Sequence, residues 1–231
     1  MEPGPEMPLP RRWRLRIVGF AVAAVAIAGL LYAGQDFLAT LQRLDVVERE
    51  RDVWQRVAEI LRALDLREGK VIADLGCGSG YFTLKISPSV GPRGHVLAVD
   101  GRGLPLLVVR VRAWRRAINN VGVIQGRPDD PGLPAEGVDA ALVLNTYHEL
   151  DDAPAMLAHV RRALRPGGRL VVVDRRPRSA GTPAPGGHEL APSEGDAGLR
   201  ASGFEIVERD DAFIDRAGDP DVWWMIVARR P

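Results

Sequence analysis

The sequence predicts an α/β domain built on a mostly parallel sheet. Two observations carry this. Apolar strand-like runs alternate with helical stretches between residues 70 and 174. The first of these runs, Val71-Ile72-Ala73, ends in Asp74 and enters a turn with Gly76, Gly78 and Gly80 at alternate positions. Strand, glycine turn, helix is how such a domain seats a nucleotide-like ligand.

Bulk composition fits. The chain has 231 residues, 46% hydrophobic and 26% charged, enough for one α/β domain with a small appendage. A net charge of +1 gives no electrostatic footprint for nucleic acid. The single Cys77 excludes an internal disulfide and a zinc site built from cysteines, and no metal site is expected.

Residues 1–16 are Pro-rich and then basic, with Arg11, Arg12, Arg14 and Arg16. Residues 17–34 form a run of eighteen without a charge, just long enough to cross a bilayer as a helix. A signal peptide is the rival reading. Cutting after Ala33 or Gly34 would leave Leu31 or Tyr32 at the position that wants a small residue, so an uncleaved single-pass anchor is expected. The basic flank favours the rest of the chain lying outside the cytoplasm, but Arg43, Arg49 and Arg51 downstream weaken that asymmetry and leave the side open. Residues 35–49 read as a linker helix. Val53, Val57, Ile60, Leu61 and Leu64 then give one apolar helical face leading into a domain over 50–231.

Strands are expected at 70–76, 95–100, 121–126, 138–145 and 169–174, with helices at 79–86, 104–118 and 153–164. The strands are continuous apolar runs, as in a sheet covered on both faces. Residues 175–192 are rich in Pro, Gly and Ser and read as a long loop holding His188 and Glu189. A short helix at 193–201 ends at Gly203. Strands at 204–209 and 222–228 follow with no helix between them, so the last is expected to be antiparallel.

A dinucleotide fingerprint would place its third glycine where Tyr81 stands. The pattern here is Asp-x-Gly-x-Gly-x-Gly. An acid before the glycines suits a cationic amine, and Asp100, 24 residues beyond Gly76, is placed to accept the hydroxyls of a ribose.

At this point the sequence resembles the class I S-adenosylmethionine (SAM) dependent methyltransferases, through ADLGCGSGYFT, VLAVD, GRPDDPGLP, VDAALVLNTYHEL and LRPGGRLVVVD. It looks closest to the small-molecule branch that includes quinone-biosynthesis enzymes. The resemblance implies a Rossmann-like seven-stranded sheet with the last strand antiparallel. It implies SAM as cofactor, with Asp74, Gly76, Gly78 and Gly80 at its methionine end, Asp100 at the ribose and Asp129 beside the adenine. Two departures stand out: Gly101-Arg102-Gly103 follows Asp100, and Arg127 stands where relatives often carry an acid.

Methyl transfer needs alignment and exclusion of water, and a base only if the acceptor must lose a proton. The end of the fourth strand carries Asn145-Thr146-Tyr147-His148-Glu149. Asn145 is expected to meet the SAM amine, His148 to act as base or orient the acceptor, and Tyr147 to wall the acceptor site. Glu149 either holds His148 or belongs to the acidic start of the next helix. The expected activity is methyl transfer to a small acceptor, with a lipophilic one suggested by residues 17–34. The alternatives are a non-catalytic SAM-binding module and, less favoured, an NAD-type dehydrogenase.

Overall fold

The computed structural model describes residues 11–176 and 189–231. His188 lies outside them. The chain divides at Arg51/Asp52 into two compact units.

From Arg11 to Arg51 the chain is helical. Helix α1 runs without a break over Arg11–Trp54, so residues 35–49 continue the apolar run as helix. At 1.5 Å per residue its 44 residues extend about 66 Å, twice the roughly 30 Å of a bilayer's hydrocarbon. By length and composition it can cross a membrane: Ala24–Trp54 contains an 18-residue window of mean hydropathy 1.4.

The second unit begins with the last turn of α1 and helix α2 (Val57–Ala63). The single apolar helix expected across 53–64 is broken at Arg56, which takes a left-handed conformation (φ 48°). The Arg56 guanidinium holds the break by bonding the carbonyl of Phe213 and lying 4.3 Å over its ring. The break turns Val53 to solvent and packs Trp54 against Trp223, with ring centroids 6.0 Å apart.

Seven strands then form one sheet: β1 (Val71–Leu75), β2 (His95–Asp100), β3 (Val121–Gln125), β4 (Val138–Leu144), β5 (Leu164–Arg175), β6 (Glu205–Ile214) and β7 (Trp223–Arg229). Their order is β3-β2-β1-β4-β5-β7-β6. All neighbours among β1 to β5 are parallel, and β7 runs antiparallel to both β5 and β6. The expected hairpin is there, with the reversed strand inserted inside it and β6 outermost. Register shifts interrupt the β6–β7 pairing at Ile206/Glu208 and Asp210/Ile214.

The crossovers are α3 (Tyr81–Val90), α4 (Gly103–Arg115) and α5 (Ala153–Ala163), and α6 (Pro192–Ala201) precedes β6. Alternate residues of each strand feed two cores. Ala73, Ala141, Leu170, Val172 and Ile226 join Leu157 and Leu199 on one face. Ile72, Leu142, Val171, Val173 and Val227 join Ile60, Phe82 and Ile86 on the other. This two-sided burial explains the unbroken apolar runs. Strand order reverses between β1 and β4, so the carboxyl ends of the strands open a crevice there.

Leu142 is fully buried at the centre of the sheet. Leu142→Ala is expected to lower the unfolding free energy by about 2–5 kcal/mol, read by denaturant titration.

Candidate active site

The glycine turn lies where the sequence puts it, between β1 and α3. Gly76, Gly78 and Gly80 all have positive φ (68°, 52° and 86°), the region that L side chains avoid. The turn is closed by Cys77 N–H donating to the Val99 carbonyl (3.0 Å) and Gly80 N–H to the Cys77 carbonyl (2.9 Å). A Cβ on Gly76 would stand 2.3 Å from Thr146 Oγ1, and one on Gly80 would stand 2.9 Å from Val109 Cγ2. A Cβ on Gly78 would meet nothing within 4 Å. The turn is therefore gripped at both ends and open in the middle.

Asp74 lies buried under the turn, and the Thr83 hydroxyl donates to its Oδ2 at 2.5 Å. From the other side, Nη1 of the buried Arg112 on α4 donates to the Ser79 carbonyl at 2.7 Å. Cys77 is buried in the turn. Desolvation, with Asp74 and Asp100 adding to it, pushes its thiol far up, so it stays protonated and unreactive.

Asp100 ends β2, and its buried carboxylate faces the turn. Gly78 N–H donates to Oδ2 (3.1 Å), and Arg102 donates to Oδ1 from its backbone N–H (2.9 Å) and its Nε (3.3 Å). A carboxylate has about four acceptor sites, so one is left for a hydroxyl. The Arg102 side chain is mostly exposed, and turning it away releases a second. The open Gly78 and this carboxylate together fit a ribose-bearing ligand.

The loop after β3 is tied to the same place, with Gly126 N–H donating to the Asp100 carbonyl. Asp129 is exposed beside Arg127 (3.6 Å). Asp130 is the ordered acid of this loop. It accepts Gly132 N–H at 2.8 Å, and that bond, with His159 and Arg127 nearby, holds its pKa below the usual carboxylate range.

At the end of β4, Asn145 takes a left-handed conformation (φ 53°) that Asn tolerates. Its N–H donates to the Val173 carbonyl, and its Oδ1 accepts from Arg175 Nε at 3.1 Å. Tyr147 departs from expectation. It is buried in the core with Leu157 and Leu199, and a Cβ on Gly198 of α6 would stand 2.6 Å from its hydroxyl. The phenol packs under α6 rather than forming a wall, and burial raises its pKa.

His148 lies at the strand ends with Asp174, an acid at the end of the fifth strand that the sequence does not pair with it. Its Nδ1 is 2.7 Å from Oδ1 of Asp174, the fully buried acid near the end of β5, and its backbone N–H donates to Oδ2 at 3.1 Å. Arg175 N–H donates to the same carboxylate at 2.7 Å. Glu149 is farther off, 3.7 Å from Nε2. A carboxylate facing Nδ1 fixes that nitrogen as the N–H and leaves Nε2 as the basic one. Sequence spacing cannot pair residues 26 apart, and only the adjacency of β4 and β5 does so.

Residues 72–168 match the model of a methyltransferase domain. The structure superposes on the SAM-dependent methyltransferase from Aquifex aeolicus with a TM-score of 0.69, at 20% identity, over 78% of this chain and 92% of that one. The fold is that of the class I methyltransferases. Nocamycin O-methyltransferase of Saccharothrix syringae is 31% identical over 135 residues, covering 58% of this chain and 47% of that protein. Demethylmenaquinone methyltransferase of Lactococcus lactis is 29% identical over 128 residues, covering 54% and 49%. The chain spans about half the length of these curated relatives.

Gly76→Ala adds a methyl group where Thr146 already stands and strains a positive φ. It is expected to cost about 2–5 kcal/mol. Thr146→Ala in the same chain should recover part of that loss in a double-mutant cycle on thermal unfolding.

Proposed function

We propose that the chain is a SAM-dependent methyltransferase acting on a small acceptor. The observation that carries this is the open centre of the glycine turn, with the Gly78 amide on the buried Asp100, at the point where strand order reverses. The methyltransferase-domain match and the names of the curated relatives support it. When bound, SAM supplies a methyl group already activated on a sulfonium.

The chain's residues then bind, orient and exclude water. Gly76, Gly78 and Gly80 let the backbone run close beneath the methionine end, with Asp74 beneath them. Asp100 accepts ribose hydroxyls. Asp129 flanks the adenine, and Asn145 faces the amine end. Tyr147 takes no part. His148 removes a proton from the acceptor at Nε2, and Asp174 is the positioning residue that holds the ring. The side chain of His148 is only 2% exposed, so the acceptor reaches Nε2 only when the Tyr147–Glu149 turn opens.

Residues 17–34 act in this reading as an anchor that keeps the domain at a bilayer, which suits a lipophilic acceptor such as a quinone precursor. The basic flank places the domain outside the cytoplasm, while the cytoplasmic supply of SAM places it inside. A reporter fused after Pro231 distinguishes the two.

A second reading, a SAM-binding module without transfer, draws on the same burial of His148, whose ring and backbone both serve to pin the β4 turn to β5.

Asp100→Ala is expected to remove charge-assisted hydrogen bonds of about 1.5–3 kcal/mol and so weaken SAM binding roughly ten- to hundredfold by calorimetry. Failure of the unaltered chain to bind SAM at millimolar concentration overturns both readings.

His148→Gln and Asp174→Asn separate the two readings. With labelled SAM and a cell lipid extract as acceptor source, His148→Gln should lower transfer by about 10²–10⁴, leaving SAM affinity unchanged. A module would show no transfer in any form, and its variants would lose only thermal stability.

A further inference from the structure

Helix α4 presents two unlike faces. Its inner face grips the glycine turn through Val109 and the buried Arg112. Its outer face exposes Leu104 (69%), Leu107 (52%) and Trp114 (79%), with Val111 half-buried in the same row. At 3.6 residues per turn these four fall within an arc of about 80°. The exposed Arg110 and Arg115 border that arc on either side. The helix, GLPLLVVRVRAWR, contains no acid.

A core helix would turn Leu and Trp inward, and a solvated helix would place charge where Leu104, Leu107 and Trp114 stand. An apolar row with a tryptophan, edged by arginines, is the make-up of a helix lying in a membrane interface. Trp sinks its ring at headgroup depth, and each arginine meets lipid phosphate. We propose that the outer face of α4 docks on an anionic phospholipid surface. The charge favours this occupant, since the row's rim is wholly cationic. The start of α4 lies three residues beyond Asp100, so docking would set the crevice mouth beside the lipid.

The inference deepens the reading of a lipophilic acceptor, yet it stands on α4 alone. The test uses the full chain reconstituted into vesicles of neutral phosphatidylcholine, or of phosphatidylcholine with phosphatidylglycerol. Leu107→Cys carries an environment-sensitive fluorophore, and Cys77, buried and protonated, stays unlabelled. Val207→Cys, 55% exposed on the edge strand β6, is the control.

In anionic vesicles with brominated acyl chains, the label at 107 should be quenched and the label at 207 should not. In neutral vesicles quenching at 107 should be small. Arg110→Gln with Arg115→Gln should weaken docking by about 30-fold, at roughly fivefold per arginine near an anionic surface. Equal quenching in both lipids, or none at 107, overturns the proposal. So does a response at 107 that grows with protein concentration in detergent without lipid, which would make the face a contact between copies. Carbonate-resistant flotation reports insertion of α1, and SAM calorimetry reports the cofactor site, so failure of either is distinct from failure at α4.

Discussion

The domain depends on one close approach: the backbone of Gly76 against the side chain of Thr146. The approach brings the end of β1 against the end of β4, the two strands between which the sheet order reverses. Gly80 against Val109 does the same for α4. With both flanks filled, only Gly78 faces space, and its amide points at Asp100. The open space over Gly78 is what remains once the turn has been clamped. A side chain at Gly76 therefore affects the crevice through the spacing of β1 and β4 and not only through the ligand.

Around this turn the polar groups are arranged in depth. Asp74 and Thr83 lie beneath it, Arg112 reaches its Ser79 carbonyl from α4, and Asp100 receives it from β2. Buried polar groups cost free energy unless paired, so each of these bonds also fixes a position. Asp174 works in the same way one strand over, where a single carboxylate accepts from the His148 amide and the Arg175 amide and faces the imidazole. In the proposed reading, binding and chemistry are split between two neighbouring strand pairs.

The strands and glycine turn were legible in the sequence because burial on both faces writes itself as unbroken apolar runs. β2 occupies the predicted residues 95–100, and the reversed β7 follows from the missing crossover helix. Three features were not legible. The helix break at Arg56 depends on a guanidinium meeting Phe213, 157 residues away. The His148–Asp174 pair needs the β4–β5 register. The position of Tyr147 just past the end of β4 suggests an acceptor wall, but a 3₁₀ turn at Tyr147–Glu149 sends successive side chains in different directions and drives the ring under α6. Long-range pairings of this kind leave no local period to read.

The outermost strand, β6, offers a last consequence. Its length displays Glu205, Glu208, Arg209, Asp210 and Asp211, and its pairing with β7 is twice thrown out of step. An edge that is charged and irregular is a poor template for a strand from another molecule. The sheet therefore ends at β6 as a boundary, and growth by strand addition, the common route from soluble sheet to fibre, is blocked on that side by the sequence of a single strand.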